Sequence, residues 1–152
     1  MVDFEKLKQL REETGISFAI CKKALEEAKN DISKAKKIIE KIAGEKLQEK
    51  SKRITMSGGL FSYVHHNQKV ASIVEILCET DFVSGNKEFQ EFGHEIALQI
   101  ASLYPKNVKD LLEQEYIKDP KRKISDLLNE VTLKFGEKIQ ISKIAVWTLG
   151  EK

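Results

Sequence analysis

The hydrophobic residues of this chain change their spacing at Gly58-Gly59, and that change limits the folds open to it. Before the two glycines, apolar residues recur every three or four positions, which is the period of amphipathic helices. After them, apolar residues alternate or run continuously through LFSYVHH and KVASIVEILCE, on either side of a turn at Asn67-Gln68. This second pattern predicts a β-hairpin. The chain therefore combines a helical first part with a second part that contains a sheet.

Three short helices are predicted in the first part. The first stops at Thr14-Gly15, Ser17 can cap the second, and Asp31 can cap the third. Three helices of this size bury little apolar surface. We therefore expect residues 1–43 to form a small domain close to the lower limit of independent folding.

Residues 44–57 (GEKLQEKSKRITMS) are dense in charge and have no sustained apolar face. They predict a linker that can be partly helical. The basic residues of this segment leave two interpretations open, a nucleic-acid patch and a solvated helix face. Two glutamates are interleaved with the bases, which favours the solvated face. The residues concerned are Lys46, Lys50, Lys52 and Arg53 for the bases and Glu45 and Glu49 for the acids.

Residues 58–152 predict a three-stranded, largely antiparallel sheet with helices on one face, so the fold class is α+β. The second hairpin strand should be central, because both of its faces are apolar except at Ser72 and Glu75. The other predicted elements are a helix over Phe89–Leu103, helical segments around Val108–Leu112 and Leu127–Phe135, and a last strand over Ile139–Leu149.

Charge and cysteine content argue against several classes of protein. The 26 Lys and Arg nearly balance 24 Asp and Glu, so the net charge of +2 gives no support to phosphate-backbone binding. Cys21 and Cys78 stand far apart, which argues against a disulfide scaffold or a zinc site and suits a reducing cytosol. The charged N-terminus and the lack of a span of about twenty apolar residues predict a cytoplasmic protein with no membrane partner.

Catalytic and cofactor motifs are missing from the sequence. Gly58-Gly59 precedes a strand, whereas a phosphate-binding glycine loop precedes a helix. His65 and His66 are expected on a strand with their side chains on opposite faces, which would prevent them from sharing a metal ion. We therefore expect neither an enzyme nor a cofactor.

The stretch ETDFVSGN, from Glu79 to Asn86, joins the central strand to the long helix. Thr80 or Asp81 can cap that helix. Phe82 has two interpretations: a core residue that closes the junction together with Val83, or an exposed ring that enters another molecule. Spacing alone favours the core, because aromatic residues near the ends of elements are more often buried.

Several segments resemble the elongation factor Ts family. The segment Leu10–Ile39 contains a Leu-Arg start, a Thr-Gly turn and the run CKKAL, in the order typical of that family's N-terminal domain. The segment Tyr63–Phe89 is similar to its core and includes ETDFV, the family's most specific signature. Two later segments, Leu111–Asp119 and Lys134–Gly150, resemble its C-terminal portions.

The resemblance implies a guanine-nucleotide exchange factor that binds elongation factor Tu. It also implies a three-helix domain similar to ubiquitin-associated domains at 1–43, a linker at 44–57 and a core at 58–152. In the family, the Asp and Phe of the signature reach the partner's GTPase domain, where the Phe enters between helices near the magnesium and nucleotide. The equivalent residues in this chain are Asp81 and Phe82. The resemblance therefore implies an exposed Phe82 ring, which reverses the preference for a buried one. Thr80 and Val83 then remain as cap and core.

The resemblance implies further contacts with the partner, and the chain also differs from the family at some positions. The family's N-terminal domain meets the GTPase domain at positions equivalent to Arg11 and the loop from Gly15 to Phe18, and the Tyr-x-His hairpin makes His65 a further contact. Phe18-Ala19-Ile20 replaces the usual Met-Met-Asp. A helical segment that relatives carry before Leu111 is missing here. Because short members can act as homodimers, a homodimer is a further expectation.

Overall fold

The N-terminal part of the protein is helical, as the apolar spacing predicts. A computed structural model describes residues 1–151, and its first three helices are α1 (Phe4–Thr14), α2 (Phe18–Glu27) and α3 (Ile32–Lys50). The third helix continues through the first half of the charged segment 44–57. Eight buried residues form the core between these helices: Leu7, Leu10, Cys21, Ala24, Leu25, Ala28, Ala35 and Ile39.

The ends of these helices follow from local chemistry. The carboxylate of Asp31 accepts the backbone N–H of Lys34, so Asp31 caps α3 as predicted. Gly15 ends α1 with φ +68°, a left-handed conformation that glycine adopts without strain. Ser17 stands at the N-cap position of α2, but its side chain makes no capping hydrogen bond to any described residue.

The described residues after α3 form nine further elements. They are β1 (Ser57–Val64), β2 (Val70–Cys78), α4 (Asp81–Ser84), α5 (Lys87–Leu103), α6 (Val108–Glu113), β3 (Glu115–Tyr116), β4 (Asp119–Lys123), α7 (Ile124–Phe135) and β5 (Gln140–Thr148). The three long strands form an antiparallel sheet in the order β1-β2-β5, which confirms that β2 is central. The protein is therefore α+β, with an N-terminal helical part and a small antiparallel sheet.

Helix α5 packs directly on one face of the sheet. Its residues Phe89, Ile96 and Ile100 are completely buried in the core. At Gly93 the helix backbone lies so close to the Phe61 ring that an added Cβ would come within 2.3 Å of it. Glycine at this position therefore lets helix and strand approach closely.

A β-bulge in β5 decides which face of the sheet each later residue occupies. Glu75 pairs with Lys143 and Ile76 pairs with Ile141, which leaves Ser142 as the extra residue. After the bulge, Ile144 and Val146 pack against the core. The odd-numbered residues therefore turn to the opposite face, where Trp147 is 78% exposed. The large apolar residues exposed on or beside this open face are Leu60, Val64, Ile73, Trp147 and Leu149.

The short β3-β4 hairpin was not predicted from the sequence. It is supported from α5 by Gln99, which is completely buried, donates to the Glu115 carbonyl and accepts the Ile117 N–H. Tyr116 also donates its hydroxyl to Glu95 on the same helix. Strands this short carry no clear alternation, which explains why pattern alone did not find them.

Candidate functional site

The two apolar residues of ETDFV, which lie next to each other on the short helix α4, have opposite solvent exposure. The Phe82 side chain is 91% exposed, whereas Val83 is 8% exposed and belongs to the core cluster under the sheet. An exposed aromatic ring leaves a large apolar area in contact with water. The spacing-based preference for a buried Phe82 is therefore wrong, and the prediction that Val83 is core is confirmed.

Asp81, the first residue of α4, is tied to the start of strand β1. The Ser57 hydroxyl donates a hydrogen bond to the Asp81 carboxylate. Asp81 is exposed and precedes Phe82 directly. The sheet edge therefore holds the turn that carries the exposed ring.

Thr80 does not cap the long helix that follows. It occupies the N-cap position of the four-residue helix α4, and its hydroxyl donates to the Glu137 carboxylate at 2.7 Å. The long helix α5 is capped instead by Asn86, whose side chain accepts the Glu88 N–H. The prediction that Thr80 or Asp81 caps that helix is wrong, because the extra turn of α4 intervenes.

Glu137 binds the residues immediately before α4. One carboxylate oxygen accepts the backbone N–H groups of Glu79 and Thr80, each at 3.1 Å. The other oxygen accepts the Thr80 hydroxyl. A charged acceptor makes each of these hydrogen bonds stronger than a neutral one would. Glu137 thereby joins the loop after α7 to the strand-to-helix junction.

Glu79 makes the reciprocal connection. Its carboxylate accepts the backbone N–H of Lys138 at 2.7 Å and lies 3.5 Å from the guanidinium of Arg53. Arg53 also donates to the Gly136 carbonyl. One base of the charged segment 44–57 is therefore engaged within the protein, which weakens the interpretation of that segment as a nucleic-acid patch. Sequence reasoning missed Glu79 and Glu137 as a pair, because no local spacing relates residues 58 positions apart.

Cys78 lies beneath this junction. Its thiol donates to the Thr80 carbonyl at 3.3 Å. Burial, and next the negative charge of Glu137, raise the pKa of the Cys78 thiol above its usual value. The thiol therefore stays protonated and acts as part of the packed junction.

A second candidate surface lies on the N-terminal helices. Phe4, Arg11 and Phe18 line an open groove of about 270 Å³, together with Glu5, Leu7 and Lys8. Phe4 is 75% exposed and Phe18 is 44% exposed. The structure thus brings Arg11 and Phe18 together, with Gly15 at the end of the helix that carries Arg11. An apolar groove beside two cations suits an apolar partner surface that carries acidic groups.

The predicted placement of the two adjacent histidines is wrong. His65 follows the end of β1 and His66 begins the turn, and their ring centroids are only 4.2 Å apart. His65 Nδ1 is 3.0 Å from the Tyr63 hydroxyl, which holds its ring. Strand alternation does not apply to them because β1 ends at Val64.

Residues 1–151 contain neither a cluster of metal-ligating side chains nor a helix that could cross a membrane. Within that range, no three side chains of His, Cys, Asp or Glu come together as a metal site would require. In the same range, no helix has the length and apolar character needed to cross a bilayer.

Comparison with known proteins gives matches along the whole chain. The family described as Elongation factor TS matches residues 79–152, and the family described as Elongation factor Ts, mitochondrial, N-terminal, matches residues 2–46. A Petrotoga mobilis protein named Elongation factor Ts is 33% identical over 195 positions, covering 99% of each chain. A Thermosipho melanesiensis protein of the same name is 32% identical, covering 99% of this chain and all of the relative.

A third relative, named Elongation factor Ts, chloroplastic, comes from Cyanidium caldarium and is 34% identical over 99% of this chain and 95% of its own length. The alignment with the Petrotoga mobilis protein has 195 positions, which is 43 more than the 152 residues of this chain. That relative therefore carries residues that have no counterpart here, in agreement with a missing internal segment.

Proposed function

This chain belongs to the elongation factor Ts family of translation elongation factors, and from that membership we propose that it is a guanine-nucleotide exchange factor for elongation factor Tu. In this proposal it binds elongation factor Tu in its GDP-bound and nucleotide-free forms and promotes release of GDP. It acts by protein-protein binding, without covalent chemistry and without contact to nucleic acid or membrane. The proposal places it in the cytoplasm, with the translation machinery.

The observation that carries the proposal is the exposed ring of Phe82 on a turn that is held on both sides. Ser57 binds Asp81 just before the ring, and Val83 anchors the turn in the core just after it. Moving an exposed side chain of this size into an apolar pocket stabilises a complex by about 1.5–3 kcal/mol. Such a ring is suited to enter the partner's GTPase domain near the magnesium and nucleotide.

Exchange of this kind needs only a difference in binding. If this protein lowers the affinity of elongation factor Tu for GDP by some factor, then bound GDP lowers the affinity of elongation factor Tu for this protein by the same factor. A pocket for Phe82 that exists only when the helices near the magnesium site have moved would give that difference. Asp81 then acts beside the ring, through its charge or through the shape of the turn.

The N-terminal helices supply a second contact in this proposal. The groove that contains Arg11 and Phe18, with Gly15 at its edge, binds the GTPase domain, and His65 at the hairpin tip meets another domain of the partner. We assign residues 1–43 to a domain similar to ubiquitin-associated domains, 44–57 to a linker and 58–152 to the core. The two separate hydrophobic clusters support that division.

A homodimer forms the last part of the proposal. The open face of the sheet carries Trp147 beside Ala71, and Val64 pairs with Ala71 on the other side. Val64 is 61% exposed and Trp147 is 78% exposed, so this row leaves apolar area uncovered. Exposed apolar patches of this kind mark interaction sites, and a second copy offers a matching face about a two-fold axis.

Release of a fluorescent GDP from purified elongation factor Tu tests the activity directly. We expect substoichiometric amounts of this protein to accelerate release, since an exchange factor turns over. A release rate that does not rise with added protein would reject the proposal. The same assay at raised salt separates it from nucleic-acid binding, whose affinity falls steeply with salt.

A further inference from the structure

The carboxylates of Glu79 and Glu137, called here the glutamate pair, connect the junction before α4 to the loop after α7. We propose that Glu137 is a positioning residue that sets the orientation of Phe82 for nucleotide release. This inference rests on the proposed exchange function. Glu137 itself makes its contacts two and three residues before the ring, so its effect passes through the backbone of Glu79 and Thr80.

Helix α4 needs such support because it is too short to hold itself. It has four residues, and a single helical turn forms unfavourably without outside contacts. The hydroxyl of Thr80, which could have capped it, is bound to Glu137 instead. The direction of the Phe82 ring is therefore set by the groups that hold the two ends of this turn, namely Glu137, Ser57 and the buried side chain of Val83.

Contacts of the residues on either side of Glu137 fix the backbone of its loop. Gly136 ends α7 with φ +70°, which turns the chain back towards the junction. Ile139, two residues further on, is 5% exposed and anchors the loop in the core. Arg53 donates to the Gly136 carbonyl. The backbone of Glu137 is therefore held on both sides, and this fixes the point from which its carboxylate reaches the junction.

The two members of the glutamate pair hold each other's segments. Glu137 accepts the N–H of Glu79 at 3.1 Å, and Glu79 accepts the N–H of Lys138, the residue after Glu137, at 2.7 Å. Arg53 offsets the like charge of the two carboxylates through its contact with Glu79. Opening the junction would break both connections at once.

A fixed ring has a clear advantage in exchange. A side chain that is already oriented loses less conformational freedom when it enters a pocket, and a site held loosely by about 1 Å loses much of its function. Removal of the Glu137 carboxylate should leave Phe82 chemically intact but free to adopt other orientations. Nucleotide release should then slow although the ring is still present.

The first test measures the rate of GDP release from elongation factor Tu in the presence of each of four proteins. They are the wild type, Glu137→Ala, Glu137→Gln and Glu91→Ala. We expect Glu137→Ala to slow release by roughly fivefold to tenfold, which is the scale of about one net hydrogen bond, because Ser57 and Val83 still hold the turn. Glu137→Gln should restore most of the rate, since its amide oxygen can accept both N–H groups and its NH₂ can donate to the Thr80 hydroxyl. Glu91 is exposed on α5, and its substitution should leave the rate unchanged.

The second test asks whether Glu137 acts through Phe82. In a Phe82→Ala background, adding Glu137→Ala should slow release by less than about twofold, because coupled residues are not additive. Effects that multiply would show that Glu137 acts independently of the ring and would overturn the proposal. A wild-type release rate for Glu137→Ala alone would overturn it as well.

A third measurement is independent of the partner. Amide hydrogen exchange followed by NMR should show faster exchange at Glu79 and Thr80 in Glu137→Ala and near-native exchange in Glu137→Gln. Unchanged protection of both amides in Glu137→Ala would overturn the proposal even if release slowed. A wild-type protein that fails to accelerate GDP release from elongation factor Tu would reject the exchange function, whereas these two amides would still report whether Glu137 holds the junction.

Discussion

Phe82 and Val83 are consecutive residues of one helical turn, yet Phe82 is 91% exposed and Val83 is 8% exposed. The turn therefore directs one of these apolar side chains into solvent and the other into the core. Val83 fixes the turn in the core, and Phe82 is offered to a partner in the proposed function. This division makes separate predictions for stability and for exchange.

Stability should depend on Val83 and be nearly independent of Phe82. We expect Phe82→Ala to change the free energy of unfolding by less than about 0.5 kcal/mol, since the ring is in water. Val83→Ala should lower it by about 1–3 kcal/mol, because a buried side chain is shortened and a cavity is left. Urea unfolding followed by circular dichroism measures both. A large loss of stability in Phe82→Ala would show that the ring packs in the core.

The groove on the N-terminal helices should contribute affinity for elongation factor Tu. We expect Arg11→Ala and Phe18→Ala each to weaken binding by roughly tenfold, in the range of a moderate interface contact. Glu12→Ala, on the same helix and exposed, is the matched control and should bind like the wild type. Titration calorimetry with purified partner measures the three affinities. Equal affinities for Arg11→Ala, Phe18→Ala and the control would remove this groove from the interface.

The open face of the sheet should support a homodimer. Sedimentation equilibrium should give twice the monomer mass of 17.4 kDa for the wild type and the monomer mass for Trp147→Glu. Ile54→Lys is the control, since Ile54 is 78% exposed but precedes the sheet. Trp147 is the one tryptophan of the chain, so its fluorescence should shift to the blue as concentration rises. A wild-type monomer at every concentration would contradict the homodimer.

Tyr116 should make stability depend on pH in the alkaline range. Burial first, and then its hydrogen bond to Glu95, raise the pKa of Tyr116 to about 12 from an ordinary value of about 10. The unfolded chain therefore loses this proton first, so stability from this group is fully present below about pH 10 and is lost as the pH rises through about 12. Urea unfolding should show a steeper fall over this interval in the wild type than in Tyr116→Phe. Parallel curves for the two proteins would contradict the assignment.

Local chemistry and periodicity predicted most elements of this fold. Asp31 caps α3 through a contact three residues away, and β2 is central because both faces of its sequence are apolar. The helix end at Gly136 also follows from the residue itself. Each of these features depends on interactions within a few residues or on a repeated pattern, which a sequence displays directly.

The geometry of the candidate site could not be predicted in the same way. The bulge at Ser142 changes which face of the sheet Trp147 occupies, and simple alternation does not show where a bulge falls. The contacts of Glu137 with Glu79 and Thr80 join segments that are far apart in the chain. Resemblance to a family identified the exposed ring of Phe82, whereas the residues that hold it became visible only in the folded protein.

The most direct test of the account is the rate of fluorescent GDP release from elongation factor Tu with the wild type and with Phe82→Ala at equal concentrations. We expect the wild type to accelerate release and Phe82→Ala to lose at least about tenfold of that acceleration, which corresponds to about 1.4 kcal/mol of lost transition-state stabilisation. Phe82→Ala should at the same time unfold at the same urea concentration as the wild type. Release by Phe82→Ala at the wild-type rate would contradict the role of the exposed ring.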